Sequence, residues 1–155
     1  MSRCPHCGSV HDALNHFCPV TGQTLELGPR LIGQTLLAKY RVITILGQGP
    51  IGIVLEVEKK NSPEHYAAKL IHPQYTRGLH TTDKMLSEAR TSATIANEHL
   101  AKVIDCGRDV GGALVVVREL MTGECLQTRL DGQTRFSFEE ATTIGLGIAR
   151  GLDAL

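Results

Sequence analysis

The sequence predicts an α+β fold: a five-stranded antiparallel sheet with one helix against it, a small cysteine-bearing appendage in front and further helix behind. Three observations carry that prediction. Apolar residues alternate from Tyr40 to Ile71 around a glycine-rich turn; a 3.6-residue period follows over residues 82–97; and Cys4, Cys7 and Cys18 crowd the first 18 residues while Cys106 and Cys125 stand apart. A length of 155 residues suits one compact domain with an appendage. The boundaries expected are 1–28 for the appendage, 29–37 for a linker, and 38–155 for the body.

Charge and composition exclude several classes. Lys plus Arg is 16 and Asp plus Glu is 16, a formal charge of zero, so bulk electrostatics would not hold the chain to nucleic acid or anionic lipid. Aromatic residues are 4% with no Trp, which leaves an aliphatic core. The longest apolar run, Ala113 to Val117, is far below the ~20 residues that span a bilayer. Met1 to Cys7 lacks the apolar stretch of a secretory signal. The expectation is a cytoplasmic chain with no membrane segment and no nucleic-acid partner.

In the appendage, Cys4-Pro5-His6-Cys7-Gly8 has the spacing of a zinc knuckle, two thiolates bracketing an ion and a Gly where the chain turns. A second knuckle would begin at Cys18, but Thr21 stands where its second Cys belongs. His6, His11 and His16 can each supply a nitrogen; His16, two residues before Cys18, is the preferred fourth ligand beside Cys4, Cys7 and Cys18. Zinc is the expected metal, because so short a segment rarely folds without a staple. A degenerate ribbon without metal is the alternative.

The body reads element by element. Val42, Ile43, Ile45 and Leu46 make a strand that ends in Gly47-Gln48-Gly49-Pro50-Ile51-Gly52, and Val54, Leu55 and Val57 alternate with charges in the next. Asn61-Ser62-Pro63 turns into a third strand, His65 to Ile71, with Lys69 in apolar company. Met85, Ala89, Ala93 and Ala96 mark one face of a helix over 82–97, with Glu88 near its middle and Lys84–Glu88 as an i,i+4 pair. Strands follow at 102–106 and 113–118. Ser137-Phe138-Glu139-Glu140 is a capping box opening a helix with Ala141, Ile144, Ile148, Leu152 and Leu155 on one face. Cys106 and Cys125 are expected to be small buried apolar residues.

A glycine-rich turn followed by a strand, rather than a helix, separates this pattern from a dinucleotide-binding fold. The order Gly47-x-Gly49-x-x-Gly52-x-Val54, Ala67-x-Lys69, helical Glu88, then Val116-Val117-Arg118-Glu119-Leu120-Met121 resembles the N-terminal lobe of a bacterial eukaryotic-like Ser/Thr protein kinase, over residues 38–155. The resemblance implies that ATP is the ligand. Gly47, Gln48, Gly49 and Gly52 would lie over its phosphates, Val54 and Ala67 over its base, and the backbone of Glu119 and Met121 along the adenine edge. Lys69 would hold the α- and β-phosphates with Glu88 as its anion, these two being the catalytic pair. The last helix would begin the C-terminal lobe.

Three departures qualify what the resemblance implies. The 155 residues hold no His-Arg-Asp and no Asp-Phe-Gly, so the base and the magnesium ligands of the family would have to come from chain beyond Leu155, and these residues alone are expected not to transfer phosphate. Pro50 removes an N–H at the tip of the glycine turn. Arg118 stands where the family has an apolar residue behind adenine, and it is expected to compete with Lys69 for Glu88. The function implied is the ATP-binding part of an enzyme that moves the γ-phosphate of ATP to protein hydroxyls, with ATP, magnesium and a protein substrate as partners. The alternative is a pseudokinase or a zinc-ribbon protein-interaction module.

Overall fold

The structure is a computed structural model that describes residues 4, 7–11, 18, 20–21, 31–49, 51–71, 75–76, 79–109, 112–132 and 135–155, the side chains of 79–81 excepted. Its strands are β1 (Thr35–Leu36), β2 (Tyr40–Gly49), β3 (Gly52–Lys59), β4 (His65–Ile71), β5 (Val103–Arg108) and β6 (Leu114–Glu119). Its helices are α1 (Leu79–Ala93), between β4 and β5, then α2 (Leu126–Gly132) and α3 (Phe138–Asp153). The strands form one antiparallel sheet in the order β1-β2-β3-β4-β6-β5. The expected five strands are present, and the two-residue β1 adds a sixth at the edge.

β3, β4 and β6 are half-buried on alternate residues. Ile53, Leu55 and Val57, Ala68 and Leu70, and Val115 and Val117 point to one side, where they meet Leu31, Leu36, Tyr40 and Val42 in the main core. Pairing Leu55 with Ala68 and Ala68 with Val117 sets this register, and a slip of one residue would turn every one of them out. On the opposite side α1 packs Leu86 and Met85 against Ile71, Leu114 and Val116.

Residues 31–37, expected to be linker, belong to the body: Leu31 and Leu36 are fully buried in the main core. The chain enters β2 through a turn in which Leu37 and Ala38 have φ of 49° and 57°, left-handed values that L side chains resist. The Lys39 N–H donates to the Leu36 carbonyl at 3.0 Å to close it, and the Leu37 N–H donates to buried Asp109 at 2.9 Å. Asn61, φ 64°, makes the β3–β4 turn where the sequence places one.

Helix α1 ends at Ala93, short of the expected residue 97; Thr94 and Ile95 close it with tight backbone bonds to Thr91 and Ser92. The capping box of α3 forms in full, with Ser137 and Glu140 exchanging side-chain and backbone bonds at 3.1 and 3.0 Å. The expected apolar face of α3 is open: Ile148 and Leu152 are 53% and 66% exposed, and only Gly151 is buried, against His99 and Leu100. Cys125 is exposed rather than buried, its sulfur bonded to Thr128 at the start of α2, and Cys106 is half-buried beside Leu86. Among the described residues no helix is long and apolar enough to cross a membrane.

Candidate functional site

The alternation that fills the core with Leu55, Ala68 and Val117 turns their neighbours to the other face. There, ladder pairing sets Lys69 between Val54 and Val116, and Ala67 between Glu56 and Arg118. α1 stands over this face and packs on it at Ile71, Leu114, Val116 and Cys106, leaving the rest of it open. The space between is a cavity of about 450 Å³ lined by Val54, Ala67, Lys69, Val116 and Arg118 of the sheet, with Met85, Glu88 and Ala89 of α1 on its far wall. Val54, Ala67, Lys69 and Arg118 of the sheet and Glu88 of α1, separated by up to 64 positions in the sequence and all singled out there, thus line one cavity.

Glu88 does not contact Lys69 or Arg118, contrary to expectation. Its ion pair is with Lys84 on its own helix, 3.8 Å away, with both side chains mostly exposed. A partner one turn away on α1 costs little ordering, whereas reaching Lys69 would require bridging the open cavity; such a surface pair contributes only about 0.3–0.5 kcal/mol. Among the described residues neither Lys69 nor Arg118 has a carboxylate within 4.0 Å. The cavity wall therefore presents two cations without partners.

The glycines divide into two kinds. A Cβ on Gly52 would collide with the Leu70 carbonyl, so Gly52 is required by the closeness of β3 to β4. At Gly47 and Gly49 a side chain would meet nothing within 4 Å, and these two, with Gln48, lie on the exposed end of the hairpin. Pro50 lies outside the described residues. At the other margin, the Glu119 N–H donates to the Lys102 carbonyl at 3.0 Å. Met121, beyond the end of β6, is 67% exposed and makes no described backbone hydrogen bond.

A second cluster lies in the appendage. The ligand atoms of Cys4, Cys7, His11 and Cys18 all fall within 4.8 Å of one another. His11 Nε2 is 3.0 Å from Cys7 Sγ and 3.5 Å from Cys18 Sγ. Gly8, φ 75°, lets the first knuckle turn, with its N–H on the Cys4 carbonyl at 2.9 Å. Burial opposes ionisation of Cys18, but hydrogen bonds from Thr21 and Val20 outweigh it and bring the thiol down to about 5. At Cys7 a Ser9 backbone bond favours the thiolate, yet burial and the hydrogen bond with Cys18 hold it above its ordinary value. His16 and His6 lie outside the described residues. Among the described residues the histidine beside the sulfurs is His11, four residues after Cys7, where a turn brings both side chains to one side.

Comparison with known proteins agrees with this arrangement. The protein kinase domain family matches residues 40–155. The chain is 28% identical over 125 residues to probable serine/threonine-protein kinase pknA2 of Bifidobacterium longum, covering 79% of this chain and 16% of that protein. It is 30% identical over 115 residues to serine/threonine-protein kinase PknD of Mycobacterium tuberculosis, covering 74% and 17%. The chain thus spans about a sixth of the length of these curated relatives. Among solved structures, the kinase domain of Mycobacterium tuberculosis PknI superposes with a TM-score of 0.69 at 24% identity, over 79% of this chain and half of that one. With strand order and family match in agreement, the chain belongs to the protein kinase domain family, and its curated relatives are bacterial serine/threonine kinases.

Proposed function

We propose that the cavity between β4 and α1 binds ATP, and that the chain is the nucleotide-binding part of a serine/threonine protein kinase. The observation that carries this reading is the meeting of Val54, Ala67, Lys69 and Glu88 around one cavity, in the family's order. The base would lie against Val54 and Ala67, with the Glu119 carbonyl and the Met121 backbone along its edge. Lys69, which has no carboxylate within 4.0 Å among the described residues, is available to the α- and β-phosphates. Gly47, Gln48 and Gly49 would close over them, and Gly52 serves the same hairpin by letting β3 approach β4. In the whole protein the γ-phosphate would pass to a protein hydroxyl, with magnesium held by residues outside these 155. The chain alone would bind nucleotide without transferring phosphate, because it lacks the groups that position hydroxyl and metal. The location would be cytoplasmic, with a protein substrate and no nucleic acid. The appendage would bind zinc.

A second reading, a pseudokinase, draws on Arg118, an exposed guanidinium on the wall where the family has an apolar residue. Titration of a fluorescent ATP analogue separates the two. Tight binding lost in Lys69→Met supports the ATP site. Absent binding in the wild type that appears in Arg118→Met supports the pseudokinase, and no binding in any variant removes the nucleotide reading.

A further inference from the structure

We infer that Cys4, Cys7, Cys18 and His11 Nε2 form a closed, four-coordinate zinc site that holds the two knuckles of the appendage together. This inference rests on the appendage binding zinc, and extends it to the ligand set, the nitrogen used and the role of the ion.

The geometry suits a tetrahedral site. Sulfurs at about 2.3 Å from zinc stand about 3.8 Å apart, and the four ligand atoms already lie within 4.8 Å of one another, so closing on an ion requires shifts of no more than about 1 Å. The nitrogen facing the sulfurs is Nε2, 3.0 and 3.5 Å from two of them. Binding through it places the remaining imidazole proton on Nδ1. The thiolates have the support found in knuckles. The Thr21 N–H lies 3.4 Å from Cys18 Sγ, and a Ser9 backbone bond serves Cys7.

Cys4 and Cys18 are buried, yet Val10 and Val20, the other described apolar residues there, are 53% and 65% exposed. Three sulfurs converge, then, without a described hydrophobic cluster to hold them. Soft thiolates with one imidazole select zinc over the hard divalent ions. Four protein ligands leave no position for a water or a substrate, which makes the site structural rather than catalytic.

The test compares wild type, His11→Ala, His11→Cys and His16→Ala in the 155-residue chain, by zinc content after purification without chelator and by visible spectra after cobalt(II) replacement. One zinc per chain is expected in wild type and His16→Ala, with the intense visible bands of tetrahedral cobalt. His11→Ala should lower zinc affinity more than about tenfold. His11→Cys should restore it and strengthen the thiolate-to-cobalt charge-transfer band, which shows that loss in His11→Ala is loss of a ligand and not of folding. Zinc retained at full affinity in His11→Ala, or lost in His16→Ala, overturns the ligand set while zinc binding stands. No zinc in wild type and an octahedral cobalt spectrum overturns both.

Discussion

The two faces of β3, β4 and β6 are made from the same three strands and differ in almost everything else. One carries Leu55, Val57, Ala68, Leu70, Val115 and Val117, all fully buried. The other carries Val54, Ala67, Lys69, Val116 and Arg118 around an open cavity. A strand buried on one face needs only apolar residues of fitting volume there, so the closed face holds the fold. The open face departs from that pattern with two cations that improve no packing, the kind of departure from core patterning that would suit a ligand-binding face.

The largest effect expected from breaking this contrast is on stability. Leu55→Ala should lower the unfolding free energy by about 2–5 kcal/mol, through lost burial and the cavity left behind. Lys69→Met, one strand away on the open face, should leave it within about 0.5 kcal/mol. Urea unfolding of both variants makes the comparison, and equal losses would mean that the two faces are not distinct in kind.

Gly52 sharpens the contrast, because a side chain there meets the backbone of β4. Gly52→Ala should cost about 1–3 kcal/mol, while Gly49→Ala stays within about 0.5 kcal/mol. The same urea series reads both, and a harmless Gly52→Ala would show that β3 can move away from β4.

Tyr40, at the closed end of the core, supplies a pH signature. Burial, then the charge and hydrogen bond of Asp105, push its phenol from 10.0 up to about 12. The folded chain keeps a proton that the unfolded chain releases, so this contribution is complete below pH 10 and is lost as pH rises from 10 to 12. Urea midpoints measured through that range should fall in wild type and fall less in Tyr40→Phe.

The smallest effect is a gain. Ala38 holds φ of 57° without glycine's freedom, and Ala38→Gly should raise stability by about 0.5–1 kcal/mol, read as a rise in thermal midpoint.

These residues also mark what sequence reveals. Strands β2 to β4 were legible because Val, Ile and Leu alternate with charges, and α3 because Ser137 and Glu140 declare its start. The turn at Leu37 and Ala38 carries no turn residue; it is held by Asp109, 72 positions away, which no local pattern encodes. Lys69, Glu88 and Arg118 were legible as a set but not as contacts, since the distance from α1 to the sheet depends on packing at Leu86 and Met85. His11, four residues after Cys7, comes beside the described sulfurs through a turn that its spacing alone does not announce.

The most direct measurement follows valine methyl NMR signals as ATP is added to the 155-residue chain. Val54 and Val116, on the cavity wall, should shift with saturation, while Val57 and Val117, on the buried face of the same strands, stay in place. Saturating shifts at Val57 and Val117 with Val54 and Val116 unmoved, or no shift at any of the four, would contradict the assignment of the open face as the nucleotide site.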